Sequence, residues 1–162
     1  FQFDFSYWSH DGMDELESGY FVPSTTTPSQ FGADYAGQLE VYDSLGKGVL
    51  QNALDGYNCC LFAYGQTGAG KSYSFVGYGA NRGIVPQVCD EICRRKTDIE
   101  ASGTTKLQVT FSMMEIYNEK IRDLLNPDPK TNNDLKVRQS SKGTYVQGTK
   151  AVAVASYEEI SK

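Results

Sequence analysis

Hydrophobic and polar positions alternate at the very start of the chain, where Phe1, Phe3 and Phe5 flank Gln2 and Asp4. That period of two predicts a half-buried strand. From about Ser9 to Gly37 the pattern dissolves into glycines, Pro23, Pro28 and a Ser/Thr cluster, which predicts a long loop. Val41, Leu45, Val49 and Ala53 then recur four apart with Tyr42 beside them, predicting a helix over roughly Gln38–Leu54. Gly46 and Gly48 weaken it by roughly 1 kcal/mol each relative to Ala, and Gly56 is placed to end it. The run Cys-Cys-Leu-Phe-Ala-Tyr within Asn58–Tyr64 has no polar alternation, so it predicts a strand covered on both faces, as in a parallel sheet. A helix is expected to start at Lys71 and reach Val76, an interruption to follow over Gly77–Gly83, and a second helix to open at Pro86, where Val85, Val88, Cys89 and Ile92 keep helical spacing.

Alternation returns at Leu107, Val109, Phe111 and Met113, a predicted strand. Ile121–Leu125 reads as a short amphipathic turn stopped by Pro127 and Pro129. Leu135–Arg138 and Tyr145–Ala155 read as further strands, with Met113 and Met114 as core filler. Ser156 and Glu159 fit a capping box, N-cap and N3, for a helix beginning near Tyr157. Starting inside a strand without Met and stopping inside that helix, the chain reads as part of something longer.

The segment Gly65-Gln66-Thr67-Gly68-Ala69-Gly70-Lys71-Ser72 matches the phosphate-binding pattern G-x-x-x-x-G-K-[ST], between a predicted strand and a predicted helix. Its glycines let main-chain N–H groups converge on phosphate oxygens. The helix N-terminus adds partial positive charge. Lys71 supplies a full charge to the terminal phosphates, the catalytic contribution of the loop. Ser72 offers a hydroxyl to Mg²⁺, a hard cation that prefers oxygen. No apolar run ending in Asp follows the loop, and Glu115 and Asp123 read as surface or salt-bridge residues.

Composition narrows the class. Hydrophobic residues make up 40% of the 162, enough for a packed core, and no apolar run reaches the ~18 residues of a membrane span. The net charge of -5 excludes a chain built for nucleic acid. Residues 1–45 hold eight carboxylates and no Lys or Arg, whereas 129–150 hold Lys130, Lys136, Arg138, Lys142 and Lys150 against Asp134. From charge alone that basic stretch reads either as a solvated hairpin surface or as a face for an acidic partner. Cys59, Cys60, Cys89 and Cys93 match no zinc spacing, and they read as buried, reduced thiols of a cytosolic protein.

The longer string Ala63–Tyr73 resembles the kinesin motor P-loop, whose Y-G-Q-T-G is more restrictive than the general motif. Phe3-Asp4-Phe5, Gly56-Tyr57-Asn58, Gly83-Ile84-Val85-Pro86, Met114–Glu119 and Ile121–Leu125 are similar to further kinesin strings, so the resemblance covers nearly the whole chain. An insertion between Gly19 and Gln38 is longer than in the family, and Tyr7-Trp8-Ser9-His10 resembles the third kinesin subfamily, many of whose members carry vesicle cargo. The resemblance implies an α/β P-loop NTPase three-layer sandwich, present here in part, with a central mixed sheet and helices on both faces, over residues 1–162 as a partial motor domain. It implies ATP and Mg²⁺ as ligands, Gly65–Ser72 as the phosphate site, and Tyr73 near the adenine ring, where the residue could also be plain helix packing. By the same resemblance Lys120, Arg138 and Lys142 fall at tubulin-contact positions, making the microtubule the partner and the cytoplasmic cytoskeleton the location, with no nucleic acid and no membrane insertion.

The family's R-x-R-P strand and its switch strings N-x-x-S-S-R-S-H and D-L-A-G-S-E have no counterpart in the 162 residues. These residues alone are therefore expected to fold poorly and to lack significant ATPase activity. A degenerate motor that holds microtubules without turnover is the alternative for the parent protein, and a nucleotide kinase or GTPase is the alternative that the eight-residue motif by itself permits.

Overall fold

The computed structural model describes residues 2–103, 105–128, 130, 134–141 and 143–160. The chain forms two compact units, Phe1–Lys96 and Thr97–Lys162.

In the first unit, the stretch expected as one long loop contains a short hairpin, β1 (Met13–Glu15) against β2 (Phe21–Pro23). Both strands are too short to show a period, which hides them from pattern reading. The predicted helix is present as a continuous run: α1 (Gln38–Val41), a π-helical turn over Tyr42–Gly46, and α2 (Lys47–Leu54). Gly46 has a packing reason to be there: a Cβ would sit 2.4 Å from Tyr42 Cδ2 and 3.3 Å from Ile84 Cγ2. Tyr42 and Ile84 are buried with Tyr35 and Leu50 in this unit's core. After the phosphate-loop segment come α3 (Lys71–Phe75), the hairpin β3 (Gly77–Tyr78) with β4 (Asn81–Arg82), and α4 (Ile84–Ala101). The break at Gly77–Gly83 is thus a hairpin inserted between two helices. Glu91 on α4 meets Arg94 at 2.6 Å and Arg95 at 2.9 Å, which holds its carboxyl well below the usual range, at about 2. Arg95 also reaches Gln51 Oε1 at 2.8 Å and so ties α4 to α2.

Two expected strands do not form here. Phe3 and Phe5 are 79% and 63% exposed, and only Trp8 makes a bridge, parallel to Tyr35. Asn58–Tyr64 is irregular and in no ladder, with Phe62 79% and Tyr64 96% exposed. An apolar strand needs neighbours on its hydrogen-bonding edges, and among the described residues no strand pairs with either segment.

The second unit is built of hairpins. β6 (Met114–Tyr117) pairs with β7 (Lys120–Asp123), and β8 (Val137–Ser140) with β9 (Gly143–Val146). β5 (Thr110–Phe111) pairs with β10 (Val152–Ala153), and α5 (Tyr157–Ile160) follows. The β6–β7 hairpin replaces the expected amphipathic turn at Ile121–Leu125. Its two-residue loop has Asn118 at φ 47° and Glu119 at φ 63°, the left-handed pair that a tight hairpin requires. Met113 and Met114 are 49% and 39% exposed, not core filler. Glu159 Oε2 accepts the Ala155 N–H at 2.8 Å, so the acid reaches back over the start of α5, one residue beyond the expected partner Ser156. Among the described residues the strands make five two-stranded antiparallel ladders, not one continuous mixed sheet. The class is mixed α/β.

Asp123, expected as a surface or salt-bridge acid, is fully buried at 0% exposure. Its Oδ1 accepts the Leu125 N–H at 2.8 Å and its Oδ2 the Lys150 N–H at 2.7 Å, so one carboxylate pins β7 to the chain before β10. Each such charge-assisted bond contributes about 1.5–3 kcal/mol. Asp123→Ala should therefore destabilise this unit by about 3 kcal/mol or more, and Asp123→Asn, which keeps one acceptor, by about half that. Amide exchange at Leu125 and Lys150 reports the change; unaltered protection in the Ala variant would remove Asp123 from this role.

Candidate nucleotide-binding site

The phosphate-loop segment follows the irregular Asn58–Tyr64 run and turns through Gln66–Gly70 into α3. Ala69 N–H closes the turn on the Gln66 carbonyl at 3.2 Å. Gly70, the residue before α3, lies at φ 84°, a left-handed conformation that a side chain would strain. The first helical amides, at Lys71 to Tyr73, have no carbonyl one turn back within the helix, so they point outward at its start. Lys71 Nζ folds over the loop and donates to the carbonyls of Gly65 and Gln66, both at 2.7 Å. An ammonium has three donors. Two brace the loop and the third is left for an anion.

Thr67, Gly68, Gly70, Lys71 and Ser72 line a cavity of about 380 Å³ together with the rings of Tyr73 and Tyr78. Tyr73 and Tyr78 stack with centroids 6.0 Å apart and planes at 29°. Tyr73 is held from behind. Its carbonyl accepts from Gln38 Nε2 at 2.7 Å. Tyr35 is buried nearby, and burial first, then the neighbouring Tyr73, pushes its hydroxyl up to about 12. Tyr73 also borders a second cavity, of about 290 Å³, beside Tyr7, Ser9 and Gly37.

Three amide side chains frame this region. Gln38 is 4% and Asn81 5% exposed. Asn81 accepts the Phe21 N–H at 2.9 Å and donates to the Gly19 carbonyl at 2.8 Å. Gln87 Nε2 donates to the carbonyls of Arg82 at 2.9 Å and Gln38 at 3.2 Å. The hairpin β3–β4, the Gly19–Phe21 segment, α1, α3 and α4 are thereby tied together. Sequence reasoning missed Gln38, Tyr78, Asn81 and Gln87. The glycines at 77, 79 and 83 were the available signal for a built loop at Tyr78.

Of the other residues expected at the phosphate site, Gly65 and Gln66 meet Lys71 Nζ through their carbonyls and Ala69 borders the second cavity, so these three do not line the first. Ser72 is exposed at the cavity and can supply one oxygen ligand. Among the described residues no group of three His, Cys, Asp or Glu could hold a metal by itself, so Mg²⁺ would take its other ligands from phosphate and water. None of the four cysteines is in a disulfide; Cys59 and Cys60 are exposed, against expectation, and Cys89 and Cys93 are half-buried, with the Cys89 thiol pushed up by burial. In the second unit, Lys120 on β7 and Arg138 on β8 are exposed, and Arg138 Nε donates to Gln147 Oε1 at 3.0 Å. Lys142 lies outside the described residues. No helix among the described residues is long and apolar enough to cross a membrane.

A family model for the kinesin motor domain matches residues 21–162. The chain belongs to the kinesin motor domain family. Kinesin-like protein KIF28 of Rattus norvegicus is 46% identical over 167 residues, covering 100% of this chain and 15% of that protein. Kinesin-related protein 1 of Dictyostelium discoideum is 45% identical, over 99% of this chain and 7% of that protein. Among solved kinesin structures, a KIF14 segment with ADP in complex with a microtubule superposes with TM-score 0.69 at 38% identity, over 78% of this chain and 36% of that one. A fast kinesin superposes at 0.66 and 31%, over 91% and 40%. This kinesin chain therefore spans about a sixth or less of those curated relatives and under half of the solved motor chains.

Proposed function

We propose that the protein carrying this chain is a microtubule motor that couples hydrolysis of Mg-ATP to movement, with these residues forming its phosphate-binding part. The observation that carries the reading is the single cavity around which Gly68, Gly70, Lys71 and Ser72 converge, with two of the Lys71 donors already bracing the loop. Backbone amides and the Lys71 ammonium hold the phosphates, Ser72 ligates Mg²⁺, and Tyr73 meets the base. The chemistry of water attack needs groups that these 162 residues do not supply, so turnover is expected of the whole protein and not of this part alone. The KIF14 relative binds a microtubule, and a second KIF14 structure holds AMP-PNP. Both facts support the same ligands here. The site of action is then the cytoplasmic microtubule, and any vesicle cargo is held by the rest of the protein.

In this reading Lys120 and Arg138 face tubulin, and with Lys142 they supply positive charge to an acidic partner. Steady-state ATPase assays of the full-length protein test it. Microtubules should stimulate turnover, and Lys120→Ala with Arg138→Ala should raise the microtubule concentration needed for half-maximal rate about five- to tenfold, leaving basal ATP affinity unchanged. The difference should shrink as salt is added. Binding to microtubules without any stimulation would point instead to a non-motile module.

A further inference from the structure

We infer that the cavity between α1 and α4, closed on one side by Tyr20 just before β2, is a second small-molecule site, one that takes a neutral aromatic molecule bearing a carbonyl acceptor. Its volume is about 400 Å³, within the usual range of ligand pockets. Among the described residues it shares no wall with the phosphate-loop cavity, and it does not rest on the nucleotide reading.

The charges around this cavity cancel in place. Arg82 meets Asp90 at 2.6 Å, and Arg94 grips both oxygens of Glu91, at 2.6 and 2.8 Å. A charged ligand would have to compete with a closed ion pair, which favours a neutral one. A guanidinium held in this way offers a flat, weakly hydrated face that suits an aromatic ring. Tyr20 adds a ring of the protein's own, and Leu39 and Ala80 add apolar surface.

The hydrogen-bonding group is Tyr42. Its side chain is buried, at 6% exposure, and its ring is fixed by the close approach of Gly46. Among the described residues its hydroxyl has no hydrogen-bond partner, although no fully enclosed side-chain nitrogen or oxygen lacks one. The hydroxyl therefore opens onto accessible space, and the cavity that Tyr42 lines with Glu91 is that space. Burial first, then the Glu91 charge, pushes the hydroxyl up, so it stays protonated and donates. A carbonyl oxygen is the matching acceptor. The amide groups of Gln38 and Gln87 at the same cavity are already committed, to the carbonyls of Tyr73, Arg82 and Gln38.

The test titrates the full-length protein with three probes of one size, neutral benzamide, anionic benzoate and cationic benzylamine, followed by ligand-observed NMR. Benzamide should bind with a Kd of about 1–10 mM, and each charged probe about fivefold more weakly or worse. Tyr42→Phe should weaken benzamide about three- to tenfold, and it should melt no lower than wild type, because the hydroxyl has no protein partner to lose. Ala80→Phe, at an exposed position, should fill the cavity and abolish benzamide binding. No binding of benzamide, or equal affinity in wild type and both variants, would overturn the inference. So would a charged probe that binds as tightly as benzamide. A lower melting temperature in Tyr42→Phe would also overturn it, since the hydroxyl would then be serving the protein and not a ligand.

Discussion

Lys71→Ala is expected to weaken Mg-ATP binding by about a hundredfold or more. A phosphate tail loses its one full positive partner in the loop, and charge-assisted hydrogen bonds contribute about 1.5–3 kcal/mol each. The same substitution removes the two bonds from Nζ to the carbonyls of Gly65 and Gln66. Those carbonyls sit in an exposed turn where water can replace the donor, so the melting temperature should move by only a degree or two. Calorimetric titration of the full-length protein, paired with a thermal melt, separates loss of affinity from loss of fold. ATP affinity equal to wild type would dismiss Lys71, and with it the assignment of the loop.

Gly77→Ala is expected to be the most damaging single methyl group in the first unit. Gly77 lies at φ 79°, and a Cβ there would stand 1.9 Å from the Asn81 carbonyl oxygen, 2.5 Å from Gly83 N and 2.9 Å from the Arg82 carbonyl carbon. All three are backbone atoms, so no side chain can move aside. The β3–β4 hairpin must open, and Asn81 must give up its bonds to Phe21 and Gly19. A loss of about 3 kcal/mol or more follows. Gly79→Ala is the matched control: φ is 55° but nothing lies within 4 Å, so only the left-handed penalty of about 1–2 kcal/mol applies. Urea denaturation of both variants should show that order. Equal losses would mean that the close approach is relieved elsewhere at little cost.

The candidate phosphate loop was legible in the sequence because the residues that define it are local. Eight consecutive residues carry the glycines, the ammonium and the hydroxyl, and no distant partner is needed to place them relative to one another. The helix over Gln38–Leu54 was legible for a similar reason, its period being repeated over four turns. The β6–β7 hairpin was not. Its left-handed loop uses Asn118 and Glu119, and Glu is a residue that rarely adopts positive φ, so the usual Asn-Gly signal is missing. With the loop hidden, Ile121–Leu125 reads as a short amphipathic turn. Asp123 was misread because its partners are two backbone amides, one of them 27 residues away, which no charge pattern reveals. The frame around Tyr73 has the same character, since Gln38 meets it across 35 residues and Asn81 meets Gly19 across 62. The apolar runs at Phe3–Phe5 and Asn58–Tyr64 mark the opposite failure: composition spoke of burial, and burial depends on neighbours that the described residues do not provide.

Gln38, Asn81 and Gln87 carry no charge at any pH a cell reaches. Their joints between loop, hairpin and helices respond to neither protons nor ionic strength. If the proposed function holds, rising salt would weaken contacts made by the surface lysines and arginines while the frame around the phosphate-loop cavity keeps its shape.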